Sequence, residues 1–312
     1  MAHDRKFRFG MQLATAGSAD EWTALARKVE DLGYSTLFVP DHFEDQLAPA
    51  PALQAAASAT TTLNVGALVY DNDYRHPVVL AKEAASLDIL TGGRFELGLG
   101  AGWMRTDYDY AGMPFDANGV RVDRLEEGLA VLKGLFADEP FSFSGDHYTI
   151  TNMNGLPKPT TKPGPPILIG GGGKRVLTIA AQQADIVGIN PAIKGGQVDG
   201  QAAMDATAEA TDRKLAWVKE AAGDRFDDLE LNVLSLATLV TDDQTGTAEM
   251  MAGLFGLDTN GVLEVPHAII GSVEQMIEQL QARRERWGFS YVVVQGDALD
   301  SFAPVVAALA GT

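Results

Sequence analysis

The residues with the most chemical potential in this 312-residue chain are Asp41 and His42, which follow the run Leu37-Phe38-Val39-Pro40. Three consecutive apolar residues of this kind read as a short strand buried on both faces. Pro40 cannot donate to a sheet ladder, so the strand ends there. A carboxylate and an imidazole then stand at the carboxyl end of a buried strand, where parallel α/β proteins place chemistry. Histidine is the side chain most often used as a general acid or base, which makes His42 the candidate for that role. Asp41 is the nearest carboxylate to orient it, although adjacent strand residues point to opposite faces. The competing reading is a polar strand exit with an aspartate turn.

Two glycine patterns add to this pair. Gly170, Gly171, Gly172 and Gly173 follow an apolar run at 167–169 and precede a segment of helical period. Glycines there let backbone N–H groups approach a phosphate, which a helix amino terminus also favours. The spacing is neither G-x-G-x-x-G nor a Walker loop, and a flexible turn is the alternative. Gly98, Gly100 and Gly102 alternate through the end of another apolar run. A face stripped of side chains accepts a planar ring, or it permits a kink or bulge in the sheet; both readings stay open.

Other chemistries find little support. There is no cysteine, which removes disulfides and thiolate nucleophiles. The five histidines, His3, His42, His76, His147 and His267, form no H-x-H or H-x-x-x-H pair, so no metal site is expected. No G-x-S-x-G elbow is present for acyl chemistry. Asp107 and Asp109 read as solvated loop carboxylates.

The elements that must position these groups alternate along the chain. Strand-like runs fall at 7–13, 35–39, 63–70, 94–99, 167–169, 185–190, 229–240 and 290–295. Between them lie segments of helical period: one opening on a Ser18/Glu21 capping box and closing at Gly33, then 49–60, 76–90, 120–136, 175–183, 202–222 and 272–287. A last helix spans 302–309. Eight β/α units in this length point to a (β/α)8 TIM barrel, with long excursions after strands 4 and 7. Residues 104–118 read as loop, 141–150 as a small hairpin, 191–200 as a second loop, and 241–268 as an excursion of weak period. No linker-like composition shift interrupts the chain, so a single domain over 1–312 is expected. In a barrel every strand exit faces one end. The exits Gln12, Asp41-His42, Leu68-Val69-Tyr70, Ala101-Gly102-Trp103, Gly170 to Gly173, Asn190, Thr238 and Gln295 then form one pocket, mostly apolar or glycine, suited to a flat aromatic ligand. A net charge of -18 disfavours nucleic acid and anionic membranes as partners. No stretch approaches the roughly 20 apolar residues of a membrane span, and no secretory signal is visible, which makes a cytoplasmic protein the expectation.

Against that background the sequence resembles the bacterial-luciferase-like superfamily, in particular its branch that uses the deazaflavin coenzyme F420. The resemblance is carried by F-G-M-Q at 9–12, L-F-V-P-D-H-F at 37–43, Y-R-H-P at 74–77, L-D-I-L-T-G-G-R-F-E-L-G-L-G-A-G-W at 87–103, R-x-x-R-L-E-E-G-L at 121–129 and P-P-I-L-I-G-G-G-G at 165–173. It implies a barrel whose coenzyme lies across the strand exits. Asp41-His42 matches the pair beside the deazaflavin ring, Leu68-Val69 a non-prolyl cis peptide behind it, Ala101 and Gly102 ring-lining backbone, and Gly172 and Gly173 the backbone that holds the phosphate. The implied site therefore comprises Gln12, Asp41, His42, Leu68, Val69, Ala101, Gly102, Trp103 and Gly170 to Gly173, with His42 and Asp41 catalytic. The sugar-phosphate dehydrogenases of the branch carry a Trp where this chain has Gln46 and a Glu where it has Trp103, which argues against a sugar-phosphate substrate. The expected activity is hydride transfer between coenzyme F420 and a small organic substrate, in a homodimer. The alternatives are an FMN-dependent two-component monooxygenase served by a separate reductase, and a non-catalytic flavin-binding protein.

Overall fold

In the computed structural model, which describes residues 5–312 apart from the side chains of Leu254 and Phe255, eight parallel strands close into a barrel. They are β1 (Arg8–Gln12), β2 (Thr36–Val39), β3 (Asn64–Ala67), β4 (Phe95–Gly100), β5 (Ile167–Gly171), β6 (Ile186–Ile189), β7 (Glu230–Leu234) and β8 (Phe289–Gln295). Each pairs with its neighbours in sequence, β8 pairs with β1, and Val65 opposite Phe95 joins β3 to β4. His3, noted above, lies outside the described residues. The helices are α1 (Ala19–Asp31), α2 (Pro49–Ala59), α3 (Pro77–Thr91), α4 (Arg105–Ala111), α5 (Asn118–Phe136), α6 (Lys174–Gln183), α7 (Gly200–Met204), α8 (Ala208–Ala222), α9 (Gln244–Phe255), α10 (Thr259–Glu264), α11 (Val273–Trp287) and α12 (Ala303–Leu309). Among the described residues no helix is long and apolar enough to cross a membrane.

Local chemistry sets the strand-to-helix passages. Ser18 Oγ accepts from Glu21 N at the start of α1, but the Glu21 carboxylate takes the Gly17 N–H, so only half of the expected capping box forms. His76 Nδ1 caps α3, Pro77 fills its first turn, and Gly92 ends it in the left-handed conformation. Inside the barrel Phe38, Leu168, Ile186, Tyr291 and Val293 pack into an apolar core. A Cβ at Gly66 would come within 2.9 Å of the Phe38 ring, so the missing side chain makes room for that ring. The amino-terminal end of the barrel is plugged by charge: Arg8 bonds Glu96 and Glu230 (2.5 Å each) and lies over the Tyr291 ring. A cavity of about 290 Å³ opens beside this plug, far from the strand exits.

Three expectations are corrected. The seventh strand does not run through 229–240. It leaves the barrel after Leu234, where Ser235 Oγ bonds the Ala237 carbonyl, and Ala237–Val240 pairs instead with Ala268–Gly271. With no Gly or Pro at the break, apolar content hides the change of partner. The helix expected at 202–222 is two helices, because Thr207 accepts from Ala210 N and caps a new start. Residues 104–118 are not all loop but contain α4, and the excursion at 241–268 holds α9 and α10.

Candidate active site

The strand exits form a ring of partial exposure on an otherwise buried barrel. Gln12, His42, Leu68, Val69, Ala101 to Trp103, Gly170, Gly171, Asn190, Leu234 and Gln295 are each half-buried, while the strand residues just before them are almost all buried. Thr238 is not among them, since it sits on the strand that has left the barrel. Tyr70, expected among the exits that form the pocket, is 1% exposed and turns away into packing, and Tyr108 is buried as well. Trp103 is the expected aromatic that stays accessible.

His42 is held by Asp107, which is not the solvated loop carboxylate expected. Its Nδ1 lies 2.7 Å from Asp107 Oδ2, and the Asp107 side chain is fully buried. That carboxylate also accepts from Tyr74 Oη at 2.9 Å and, through Oδ1, from Phe43 N at 3.1 Å. A carboxylate only accepts, so Nδ1 carries the hydrogen and Nε2 is left without a protein partner among the described residues. The Trp103 indole meets the imidazole edge-on with centroids 5.6 Å apart. Asp109, by contrast, is exposed and pairs with Arg105 one turn away.

Asp41 does not orient His42. Its carboxylate grips Arg75 at 2.7 and 3.0 Å and accepts from Asp71 N at 3.0 Å. Opposite faces of consecutive residues explain the division: Asp41 turns toward the segment after β3, His42 toward α4. His267 is buried too, with Nδ1 2.9 Å from the Leu234 carbonyl, and burial pushes its pKa down to about 4. It is a neutral structural imidazole. Among the described residues no group of three or more His, Asp or Glu side chains is arranged to hold a metal ion.

The two glycine patterns resolve differently. The Leu68–Val69 peptide is cis, and Gln12 Nε2 donates to the Leu68 carbonyl at 3.0 Å. A Cβ on Gly98 would run into the Ala67 carbonyl, and one on Gly100 would lie 2.7 Å from Val69 Cγ2. These glycines therefore seat the bulge after β3, which is the second of the two readings. Gly102 has φ +76°, and a Cβ there would sit 2.5 Å from Asp71 Oδ2. Gly171 and Gly172 let the chain pack against Val176 and the Asn190–Ala192 backbone. Gly173 alone faces open space, at the amino terminus of α6 with no side-chain cap. The basic residues beside it are engaged: Arg175 by Asp123 and Glu126, Lys174 by Glu220. Anion binding there would fall to backbone N–H groups.

Helix α4 roofs one side of the mouth. Its Tyr108 hydroxyl reaches Asp71 and Asp73, its Arg105 N–H bonds the Gly196 carbonyl of the loop after β6, and Phe115 packs under Tyr108 and Arg121. Gly112 in the left-handed conformation ends the helix. That glycine, together with the spacing of Met104, Asp107, Tyr108 and Ala111 on one helical face, was the available sign that Asp107 is not solvated.

A closed parallel barrel with a buried carboxylate–imidazole pair at the carboxyl ends of its strands defines a (β/α)8 enzyme frame. The chain belongs to the luciferase-like monooxygenase family, whose model matches residues 5–221. That match places it in the luciferase-like superfamily. It is similar to the FMNH(2)-dependent dimethylsulfone monooxygenase of Pseudomonas putida, 32% identical over 131 residues, 42% of this chain and 36% of that protein. An uncharacterized protein of Mycobacterium tuberculosis is 30% identical over 267 residues, 77% of this chain and 82% of that one. The F420-dependent glucose-6-phosphate dehydrogenase of Intrasporangium calvum is 28% identical over 168 residues, 51% of this chain and 50% of that enzyme. The chain thus spans about a third to a half of the two curated enzymes' lengths. Among solved structures, the coenzyme F420 dependent tetrahydromethanopterin reductase from Methanopyrus kandleri shares the fold, with a TM-score of 0.78, 16% identity and coverage of 98% and 99%.

Proposed function

We propose that this protein is an oxidoreductase that transfers a hydride between coenzyme F420, bound across the carboxyl-terminal mouth of the barrel, and a small organic substrate. The observation that carries the reading is His42, fixed at Nδ1 by buried Asp107 and leaving Nε2 free beside Trp103. The residues at the mouth fit a flat, phosphate-bearing coenzyme. Leu68, Val69, Ala101 and Gly102 offer apolar and backbone surface at partial exposure, and Gly173 opens the α6 amino terminus to an anion. The coenzyme would supply the hydride chemistry. This chain's residues would do the rest. Gln12 fixes the bulge at Leu68, with Asp41 and Arg75 bracing the segment that follows. Gly172 and Gly173 would hold the phosphate on backbone N–H groups, with Gly170 and Gly171 shaping the approach. His42 Nε2 would take or give the proton on the substrate oxygen, with Asp107 keeping the opposite nitrogen protonated. Trp103 would exclude water from one side.

The similarity to an FMNH(2)-dependent monooxygenase favours a second reading, in which the same mouth takes reduced FMN from a separate reductase. Fluorescence titration of the purified chain with coenzyme F420 and with FMN separates the two. The proposal expects saturable F420 binding in the micromolar range or tighter. Micromolar FMN binding without F420 binding would overturn it.

A further inference from the structure

The hydroxyl of Tyr108 carries one hydrogen, yet its oxygen stands within hydrogen-bond distance of two carboxyl groups. Asp71 lies at 3.1 Å through Oδ2 and 3.3 Å through Oδ1, and Asp73 at 3.1 Å through Oδ2. A phenol donates once. The second contact needs a hydrogen from one of the acids, because otherwise two oxygens bearing only lone pairs face each other inside the protein.

Asp73 is not its source. Arg124 donates to both of its carboxyl oxygens, at 2.9 and 2.7 Å, so both already act as acceptors. Asp71 differs. It is 5% exposed, and among the described residues no Lys, Arg or His forms an ion pair with it. Its Oδ1 accepts the Asp73 N–H at 2.9 Å. The charged and titratable groups around it are committed elsewhere. From the β2 exit, Asp41 is paired with Arg75 and His42 with Asp107. On its own segment, Tyr74 donates to Asp107. From α4 come Tyr108 and Asp107, and from α5 comes Arg124, shared between Asp73 and Asp116. A negative charge on Asp71 would have no cationic partner among the described residues. Consistently, burial first, then the charges of Asp73 and Asp41, push its carboxyl up to about 7.

We propose that Asp71 is a positioning residue held as the neutral acid: it donates to Tyr108 Oη, Tyr108 donates to Asp73, and this chain docks α4 so that Asp107, the residue before Tyr108, can hold His42. Ionisation of Asp71 removes the donor and sets two carboxylates against one hydroxyl, so α4 loosens from the barrel and His42 loses its anchor. The inference concerns the protein alone and stands whichever coenzyme binds.

The test therefore uses the full chain without coenzyme. Hydrogen exchange of the α4 amides, corrected for intrinsic rates, should show protection falling tenfold or more between pH 6 and pH 8.5. In Asp71→Asn the amide keeps a donor toward Tyr108 and an acceptor for Asp73 N–H, so protection at pH 6 should match the wild type and persist at pH 8.5. In Tyr108→Phe protection should be low at both. The 13C resonance of the Asp71 carboxyl, read in the unaltered protein, should report a protonated group at pH 6. An ionised Asp71 at pH 6, a wild-type α4 whose protection does not change with pH, or an Asp71→Asn chain that keeps the wild-type pH dependence would each overturn the proposal. The carboxyl resonance decides the matter even if a variant fails to fold.

Discussion

Asp107→Asn isolates the contact on which the reading of the site depends. Three donors converge on the Asp107 carboxylate, His42 Nδ1 at 2.7 Å, Tyr74 Oη at 2.9 Å and Phe43 N at 3.1 Å, and none of it is exposed. An amide of the same shape can satisfy part of this set, but its NH2 group must face a donor. Hydrogen bonds to charged groups contribute about 1.5–3 kcal/mol each. If one such bond to His42 is lost, and its contribution is felt in the transition state, kcat/KM falls roughly 10- to 150-fold at about 1.4 kcal/mol per decade. The His42 ring also loses its reason to keep a hydrogen on Nδ1. Two assays read this: 15N NMR of the imidazole, which distinguishes the tautomers, and turnover with an identified substrate. The expected outcome is a mixed or reversed tautomer with the stated loss of kcat/KM in a folded protein. A His42 spectrum identical to the wild type, with turnover within twofold, would refute the role given to Asp107.

Further outcomes follow from other contacts. Asp71 has a raised folded-state pKa, near 7 against an ordinary value near 4 in the unfolded chain. Its contribution is therefore fully present below pH 4 and is lost as pH rises to about 7, a difference on the order of 4 kcal/mol. Urea unfolding of wild type and Asp71→Asn should diverge by a substantial part of that between pH 4 and pH 8, with the variant gaining, and parallel curves would contradict it. Gly102→Ala, at φ +76° with Asp71 Oδ2 2.5 Å from the new methyl, should cost about 1–3 kcal/mol by the same measurement. Arg8→Ala strands Glu96 and Glu230 at the far end of the barrel. It should destabilise the fold by about 3 kcal/mol or more while leaving ligand affinity at the mouth unchanged. Gly173→Asp places a negative charge at the open start of α6, so coenzyme affinity should fall at least tenfold with little change in Tm.

The barrel was legible because its signals are local. Apolar runs such as 37–39 and 167–169 are too short for helices; Pro40 closes the first, glycines follow the second, and Gly92 ends α3. His42 was legible for the same reason, as a polar residue directly after a buried strand. Asp107 was not, because its partner is 65 residues away and its neighbours Asp109 and Tyr110 are exposed, which makes the whole segment look solvated. Asp41 was misassigned by adjacency: next to His42 in sequence, it answers to Arg75 in space. The alternating glycines at 98 and 100 could not be assigned from sequence, because what they accommodate is the backbone of a different strand. The break after Leu234 left no mark, since strand propensity continues while the hydrogen-bond partner changes.

The most direct test of the account is a crystal structure of the protein soaked with coenzyme F420. The ring should lie against Leu68–Val69 and Ala101–Gly102, the phosphate on backbone N–H groups at Gly172 and Gly173, and His42 Nε2 should face the ring while Nδ1 remains on Asp107. Coenzyme bound elsewhere, or bound at the mouth with the His42–Asp107 bond broken and the imidazole turned away, would contradict it.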